Sequence, residues 1–413
     1  MAIFFDTAST TRCCAEALEL VAAYSGTHFG NPSSSHALGQ QSAKAIREAR
    51  VFFAEVFDVS PEQVVFTGSG TEADNLAISG VAFGPFGGKP QRVLVSSLEH
   101  PAVKKSATAL STFGIDAQTL PVTENGEIIP EEFLNLITRE TSLISIHQVN
   151  NVVGSAYPVT ELARTAKSRA PAVLFHTDAV QAFGKLPAPT GNSGVDLVSI
   201  SSHKIEGPKG VGALILLNSQ LTRSGQLGLR PLIWGGDQEN GLRSGTQNAG
   251  LIAGFHVAAR RSLNKMKEFI SHTESLRSRL RSQLTTYGLL APTPSRSLIR
   301  WNSPPGSVPY IVNLSIPGLS AGPFSRLLEE RGCIVATGSA CGSHSDDADP
   351  VLAALGLPAD IQRAAIRISF SDMHSVADID LLARTIEDSI AHMERLQGRK
   401  LRLRSRDGSE SRK

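Results

Sequence analysis

Five short runs rich in β-branched and aliphatic residues, at 62–67, 92–97, 142–148, 172–177 and 196–201, recur along the first half of the chain with helical stretches between them. Strands that alternate with helices predict an α/β fold whose central sheet is mostly parallel, since each crossover helix must pack back onto the sheet. Sheets of that kind bind ligands at the carboxyl ends of their strands. A long helical pattern over 252–287 follows, then strand-like runs at 311–316, 333–336 and 365–370. The expected layout is an N-terminal segment over 1–20 that completes a smaller domain and a large domain over 21–288. A smaller α+β domain over 289–394 and a basic tail over 395–413 complete it. At 413 residues, two domains are favoured over one.

The residues just past the strand runs carry the chemistry. Val198-Ser199-Ile200-Ser201-Ser202-His203-Lys204 runs into Gly207, Pro208 and Gly210, so the strand must end and turn directly beyond a lysine. An amine in that setting suits Schiff-base formation, because desolvation favours the neutral form that attacks an aldehyde. Phe66-Thr67-Gly68-Ser69-Gly70-Thr71-Glu72 ends another strand on small residues at a helix start. The N–H groups there, with the Gly70 backbone and the Thr71 hydroxyl, would cradle a phosphate. The 172–177 run delivers Asp178, with Gln181 three residues on. A carboxylate at that edge can keep a pyridinium nitrogen protonated, and Gln181 can donate to the ring's phenolic oxygen. His100, after the 92–97 run, can stack on such a ring and shuttle protons. Amine, phosphate cradle, carboxylate and imidazole together are what pyridoxal 5′-phosphate requires. Each segment alone would read as a solvated lysine, a capped helix or a packed histidine.

From about residue 4 to 396 the chain resembles the cysteine desulfurases, class V members of the fold-type I pyridoxal phosphate enzymes. The resemblance rests on Phe5-Asp6-Thr7-Ala8-Ser9-Thr10-Thr11, Phe29-Gly30-Asn31-Pro32-Ser33-Ser34-Ser35-His36, Asn150-Asn151 and Ser201-Ser202-His203-Lys204. It extends to Gly235-Gly236-Asp237-Gln238-Glu239-Asn240-Gly241-Leu242-Arg243-Ser244-Gly245-Thr246 and to Ser339-Ala340-Cys341-Gly342. It implies conversion of L-cysteine to L-alanine, with the sulfur left as a persulfide on Cys341 for an unidentified acceptor protein. It further implies that Ser201, His203 and Asn151 contact the cofactor and that Asn31, Asn151 and Arg367 hold the substrate. In a homodimer, Thr246 would bind the neighbouring subunit's cofactor phosphate. Selenocysteine lyase and a catalytically silent scaffold are the alternatives, the second opposed by intact Lys204, Asp178 and Cys341. A transaminase is disfavoured by Cys341 in its Gly- and Ser-rich loop. The chain departs from the family pattern at Val152, where relatives carry a glutamate, and at Phe370-Ser371-Asp372.

Four cysteines without regular spacing argue against a disulfide framework or a metal site. Cys13 and Cys14 are expected in a first helix and Cys333 in a strand. No apolar run reaches the ~18 residues of a membrane span, and the N-terminal residues lack a secretory pattern, so a cytoplasmic protein is expected. Residues 395–413 hold eight basic and two acidic residues, a net +6 against +2 for the whole chain. A solvated, disordered tail is favoured over nucleic-acid binding.

Overall fold

A computed structural model describes residues 2–84, 91–222, 228–291, 297–337, 349–398 and 401. Its strands are β1 (Ile3–Phe4), β2 (Val64–Thr67), β3 (Arg92–Ser96), β4 (Asp116–Leu120), β5 (Thr141–Ser145), β6 (Leu174–Asp178) and β7 (Leu197–Ser201). They continue with β8 (Gly212–Leu216), β9 (Arg300–Trp301), β10 (Ile311–Ser315), β11 (Cys333–Ile334), β12 (Ala336–Thr337) and β13 (Ala365–Ser369). A seven-stranded sheet runs in the order β2-β8-β7-β6-β5-β3-β4. From β7 to β4 all pairings are parallel, while β8 pairs antiparallel with both β7 and β2. Helices cover the sheet, so β2, β6, β7 and β8 are buried at every position. Continuous apolar runs suit that two-sided burial.

All five expected strands of this sheet are present, and two more join them. β4 is an edge strand whose Asp116, Ala117, Gln118 and Thr119 are exposed or half-buried, so it lacks a buried strand's apolar run. β8 directly follows the Lys204 turn and lines up antiparallel with β7, Ser201 opposite Gly212.

The smaller unit is built on the antiparallel sheet β12-β13-β10-β9, beside the parallel pair β1-β11. Its core gathers Phe5, Leu314, Phe324, Ile366, Ile368 and Ile386. Fully burying a side chain such as Phe5 contributes roughly 1.5–3 kcal/mol, which helps to anchor the N-terminal segment there. The boundaries differ from expectation in three places. Residues 3–5 join the smaller unit, but the Ala15–Gly26 helix packs on the first half of the long Ala249–Thr286 helix, where a Cβ on Gly254 would lie 3.2 Å from the Ala17 carbonyl. Cys14 caps that first helix, and Cys13 precedes it. The second half of the long helix gives Leu276, Leu280 and Leu284 to the smaller core. At the other end, the Val376–Gln397 helix runs into the expected tail, and Leu401 packs into the same core. The rest of the tail, and Cys341 with its loop, lie outside the described residues.

Candidate active site

Four strand ends and two helix starts converge. β6 ends on Asp178, and β7 runs into the one-turn Ser202–Lys204 helix. β3 leads to His100, whose Nδ1 accepts the Ala102 N–H at 3.1 Å and caps the Pro101–Leu110 helix. That acceptor role leaves the proton of a neutral ring on Nε2. β2 leads to Ser69, which caps the Gly70–Ala82 helix by accepting the Glu72 N–H at 3.1 Å. A Cβ on Gly70 would stand 2.7 Å from Val180 Cγ2 and 3.3 Å from Ser201 Cβ. Only glycine lets this helix start sit flush against the ends of β6 and β7. The Asp178 carboxylate accepts the Val180 N–H at 2.8 Å. One side-chain atom each of Asp178, His100 and Asp74 lies within 4.8 Å of the others.

Lys204 Nζ donates to the carbonyls of Ala8 and Ser9, each at 2.6 Å. Gln181 Nε2 donates to the same Ala8 carbonyl at 2.8 Å, and its own carbonyl accepts from the Tyr310 hydroxyl at 2.9 Å. His203 Nδ1 meets Thr10 Oγ1 at 3.1 Å, and the Thr11 hydroxyl donates to the His203 carbonyl at 2.9 Å. Residues 8–11 therefore lie along the Lys204 turn. Just upstream, the Asp6 carboxylate takes Arg367 Nη2 at 2.6 Å, while Arg367 Nη1 donates to the Asn151 carbonyl at 2.9 Å. Arg367 is only 3% exposed, and its Nε has no hydrogen-bond partner.

Asn31 and Thr246 stand apart from this convergence. Asn31 is exposed and its side chain accepts the Ser33 N–H at 2.9 Å. Thr246 is also exposed, on a segment pinned at two points. Arg243 pairs with Glu72 at 2.9 Å, and Glu72 in turn accepts the Gly68 N–H at 2.9 Å. Glu239 is buried with positive φ and accepts from Arg50 at 2.6 Å and from the Phe66 N–H at 2.8 Å. These contacts tie the 237–246 segment to the turn that opens the Gly70–Ala82 helix.

Electrostatics separate the buried groups. Asp74, 1% exposed, is held well above the usual carboxylate range by burial first and then by the Asp178 charge, and its Oδ1 has no hydrogen-bond partner. Burial and that neighbouring charge both favour its neutral form. His176, two residues before Asp178, sits between Ser145 Oγ at 2.8 Å and Ser199 Oγ at 2.9 Å, and burial pushes it down to about 3. Burial also lowers His100, helped by Lys204 and His147 and opposed by Asp178. His203 is lowered to about 4 by burial and then by Lys204. Burial raises the thiols of Cys13, Cys14 and Cys333, which disfavours their thiolates.

Sequence reasoning passed over Asp74, Asp6 and Lys185. Asp6 stands within the Phe5–Thr11 segment and Asp74 two residues past the Phe66–Glu72 segment, but the groups they meet, Arg367 at 2.6 Å and His176 at 3.7 Å, are remote in sequence. Lys185, seven residues past Asp178, carries no local signal because its burial arises from tertiary packing. Of the departures, Val152 is buried, with its N–H bonded to Asn150 Oδ1 at 2.8 Å, and Phe370 fills the smaller core.

The aminotransferase class-V family model matches residues 3–382. A cysteine desulfurase IscS of Dictyoglomus turgidum is 34% identical, aligned over 93% of this chain and 94% of its own length. Among solved structures, a NifS-like protein superposes with a TM-score of 0.85 at 32% identity, covering 95% of this chain and all of its own. SspA in complex with cysteine gives 0.75 at 30% identity, over 88% of this chain and 98% of its own. With matches of that extent, and with Lys204, Asp178 and His100 at converging strand ends, the chain belongs to the aminotransferase class-V family and, within it, to the cysteine desulfurases.

Proposed function

We propose that this protein is a pyridoxal phosphate-dependent L-cysteine desulfurase that forms L-alanine and passes the sulfur on as an enzyme persulfide. The observation that carries the reading is the convergence of Lys204, Asp178, His100 and the Gly70–Ala82 helix start. The donor set fits the cofactor. Ser69 caps Glu72, which leaves the N–H groups of Gly70 and Thr71 for a phosphate, and Gly70 admits no side chain that would fill the cradle. Asp178 would face the pyridine nitrogen, His100 the ring, Gln181 and Asn151 the phenolic oxygen, and Ser201 and His203 the remaining polar edge. Lys204 Nζ would hold the cofactor covalently. When bound, pyridoxal phosphate supplies an electron sink that weakens the bonds at the substrate's α and β carbons.

The remaining work falls to the chain itself. Arg367 would grip the substrate carboxylate through its guanidinium fork, with Asn31 and Asn151 assisting. Lys204 Nζ, released from the cofactor, takes the Cα proton. Burial keeps the His100 ring neutral, so its Nε2–H can donate and then recover a proton. Cys341 Sγ, as thiolate, attacks the substrate sulfur. An S–S bond forms, the Cβ–S electron pair stays with the carbon, and protonation there completes alanine. Burial disfavours the thiolates of the three other cysteines, which supports Cys341 in this role.

The reading includes a cytoplasmic homodimer in which Thr246 reaches the other subunit's phosphate. Trp234 and Phe29, 70% and 67% exposed, supply apolar surface that a second copy would cover. Among the described residues, no helix is long and apolar enough to cross a membrane. The test is to supply L-cysteine and a thiol reductant to the purified holoenzyme. Alanine and sulfide in equal amounts are expected. Turnover of selenocysteine alone, or of neither substrate, overturns the assignment.

A further inference from the structure

A cavity of about 300 Å³ opens beside Lys204, with Thr7, Thr11, Lys185, Arg261, Phe370 and Asp372 in its wall. Lys204 is part of that wall, whereas Asp178, His100 and Arg367 are not. Lys185 is its least expected member. The side chain is 7% exposed, and among the described residues its Nζ meets the face of Tyr310, 4.9 Å from the ring centroid, and no hydrogen-bond acceptor. A buried ammonium without an acceptor is costly, because the ring face replaces little of its lost hydration.

The other charges around the cavity are answered. Arg261 pairs with Glu206 at 3.2 Å, and Lys265 with Asp372 at 3.6 Å. His272 Nε2 meets the His374 carbonyl at 2.8 Å, and Glu268 is exposed to solvent. The positive charge left uncompensated in the interior of this wall is that of Lys185. Wall hydroxyls with bonds already made, Thr7 to the Phe370 carbonyl and Ser262 to the Gly184 carbonyl, keep lone pairs but no proton for a ligand. An incoming anion would therefore find its donor in Lys185, with Arg261 Nε, buried beside Glu206 and without a hydrogen-bond partner, as a second open donor in the wall.

We propose that this cavity is a binding site for a small carboxylate, held by the Lys185 ammonium and separate from the cofactor cradle. The volume is ample for a small carboxylate, and the apolar side of the wall, Ile205, Phe269 and Phe370, suits an aliphatic tail. Burial, and then Lys204, lower Lys185 to about 7. A bound anion reverses that shift, so binding near neutral pH draws a proton onto the amine and weakens as the pH rises.

Calorimetric titration of the holoenzyme with acetate, propionate and L-alanine tests the site. Acetate and propionate report a plain carboxylate, and L-alanine reports the reaction product. Lys185→Met, which removes a buried charge without opening a cavity, should lower the affinity by about ten- to a hundredfold, the range expected for a lost charged hydrogen bond. Lys185→Gln serves as the second variant should the first not fold. Arg367→Met should leave this binding in place. Heats measured in two buffers of different ionisation enthalpy should reveal proton uptake in the wild type. Absence of binding by all three probes overturns the proposal. So does binding that survives in Lys185→Met and Lys185→Gln but disappears in Arg367→Met, since the probe would then occupy the substrate site.

Discussion

Gly70→Ala is a sharp test of how closely the proposed phosphate cradle is fitted to the sheet. The new Cβ would lie 2.7 Å from Val180 Cγ2, about 1 Å inside the usual carbon–carbon contact of roughly 3.5–4.0 Å, with Ser201 Cβ at 3.3 Å behind it. Forcing a methyl into such a contact costs about 1–3 kcal/mol, while alanine in place of glycine in a helix returns at most about 1 kcal/mol. The expected net loss is roughly 0–3 kcal/mol in the apoprotein. The larger effect falls on cofactor binding. Val180 N–H holds the Asp178 carboxylate at 2.8 Å, so a displaced Val180 moves Asp178 as well as the helix start. Cofactor affinity should weaken by about tenfold or more, equivalent to about 1.4 kcal/mol. Val180→Ala removes the clashing methyl, so Gly70→Ala should cost about 1 kcal/mol less in that background. Urea denaturation of the four apoproteins and absorbance titration with pyridoxal phosphate would measure both effects. Equal costs in the two backgrounds, or unchanged cofactor affinity in Gly70→Ala, would refute the close-approach argument.

Cys341→Ser should bind cofactor and L-cysteine yet carry no persulfide; mass spectrometry of the wild type after cysteine treatment should find added sulfur on Cys341, and sulfur on Cys333 alone would move the acceptor. Asp178→Asn should fold and lose most of its alanine formation, because a neutral amide no longer favours a protonated pyridine, and full activity would contradict that role. His176 predicts acid sensitivity. Its folded value of about 3 lies below the ordinary 6.5, so its contribution is complete above 6.5 and is lost as the pH falls towards 3. At about 1.4 kcal/mol per unit, this one fully buried ring removes about 2 kcal/mol by pH 5. Urea midpoints at pH 7 and pH 5 should differ less in His176→Gln than in the wild type, and equal differences would exclude His176 as the cause.

What could be read from the chain follows from the range over which each signal acts. The ends of β2, β3, β6 and β7 were legible because an apolar run and its terminating polar residue are neighbours in sequence, as in Ile200-Ser201 and Thr177-Asp178. β4 was not, since an edge strand half open to solvent needs no apolar face on either side. The site divides in the same way. Lys204 and Asp178 announce themselves locally, but what Lys204 Nζ touches is a pair of backbone carbonyls nearly two hundred residues earlier, and no side-chain pattern encodes a carbonyl's position. The N-terminal segment reaches that place because Phe5 is buried in the smaller core and Ser369 bonds its carbonyl, while Ala8 N–H bonds Ser369 Oγ. Asp6, between these anchors, is thereby delivered to Arg367, and Ala8 to Lys204 and Gln181. One short segment therefore contacts both the proposed substrate clamp and the proposed cofactor lysine. Movement of the smaller core relative to the large sheet would be felt at both groups through residues 5–9, so the two sites are mechanically linked by the backbone itself.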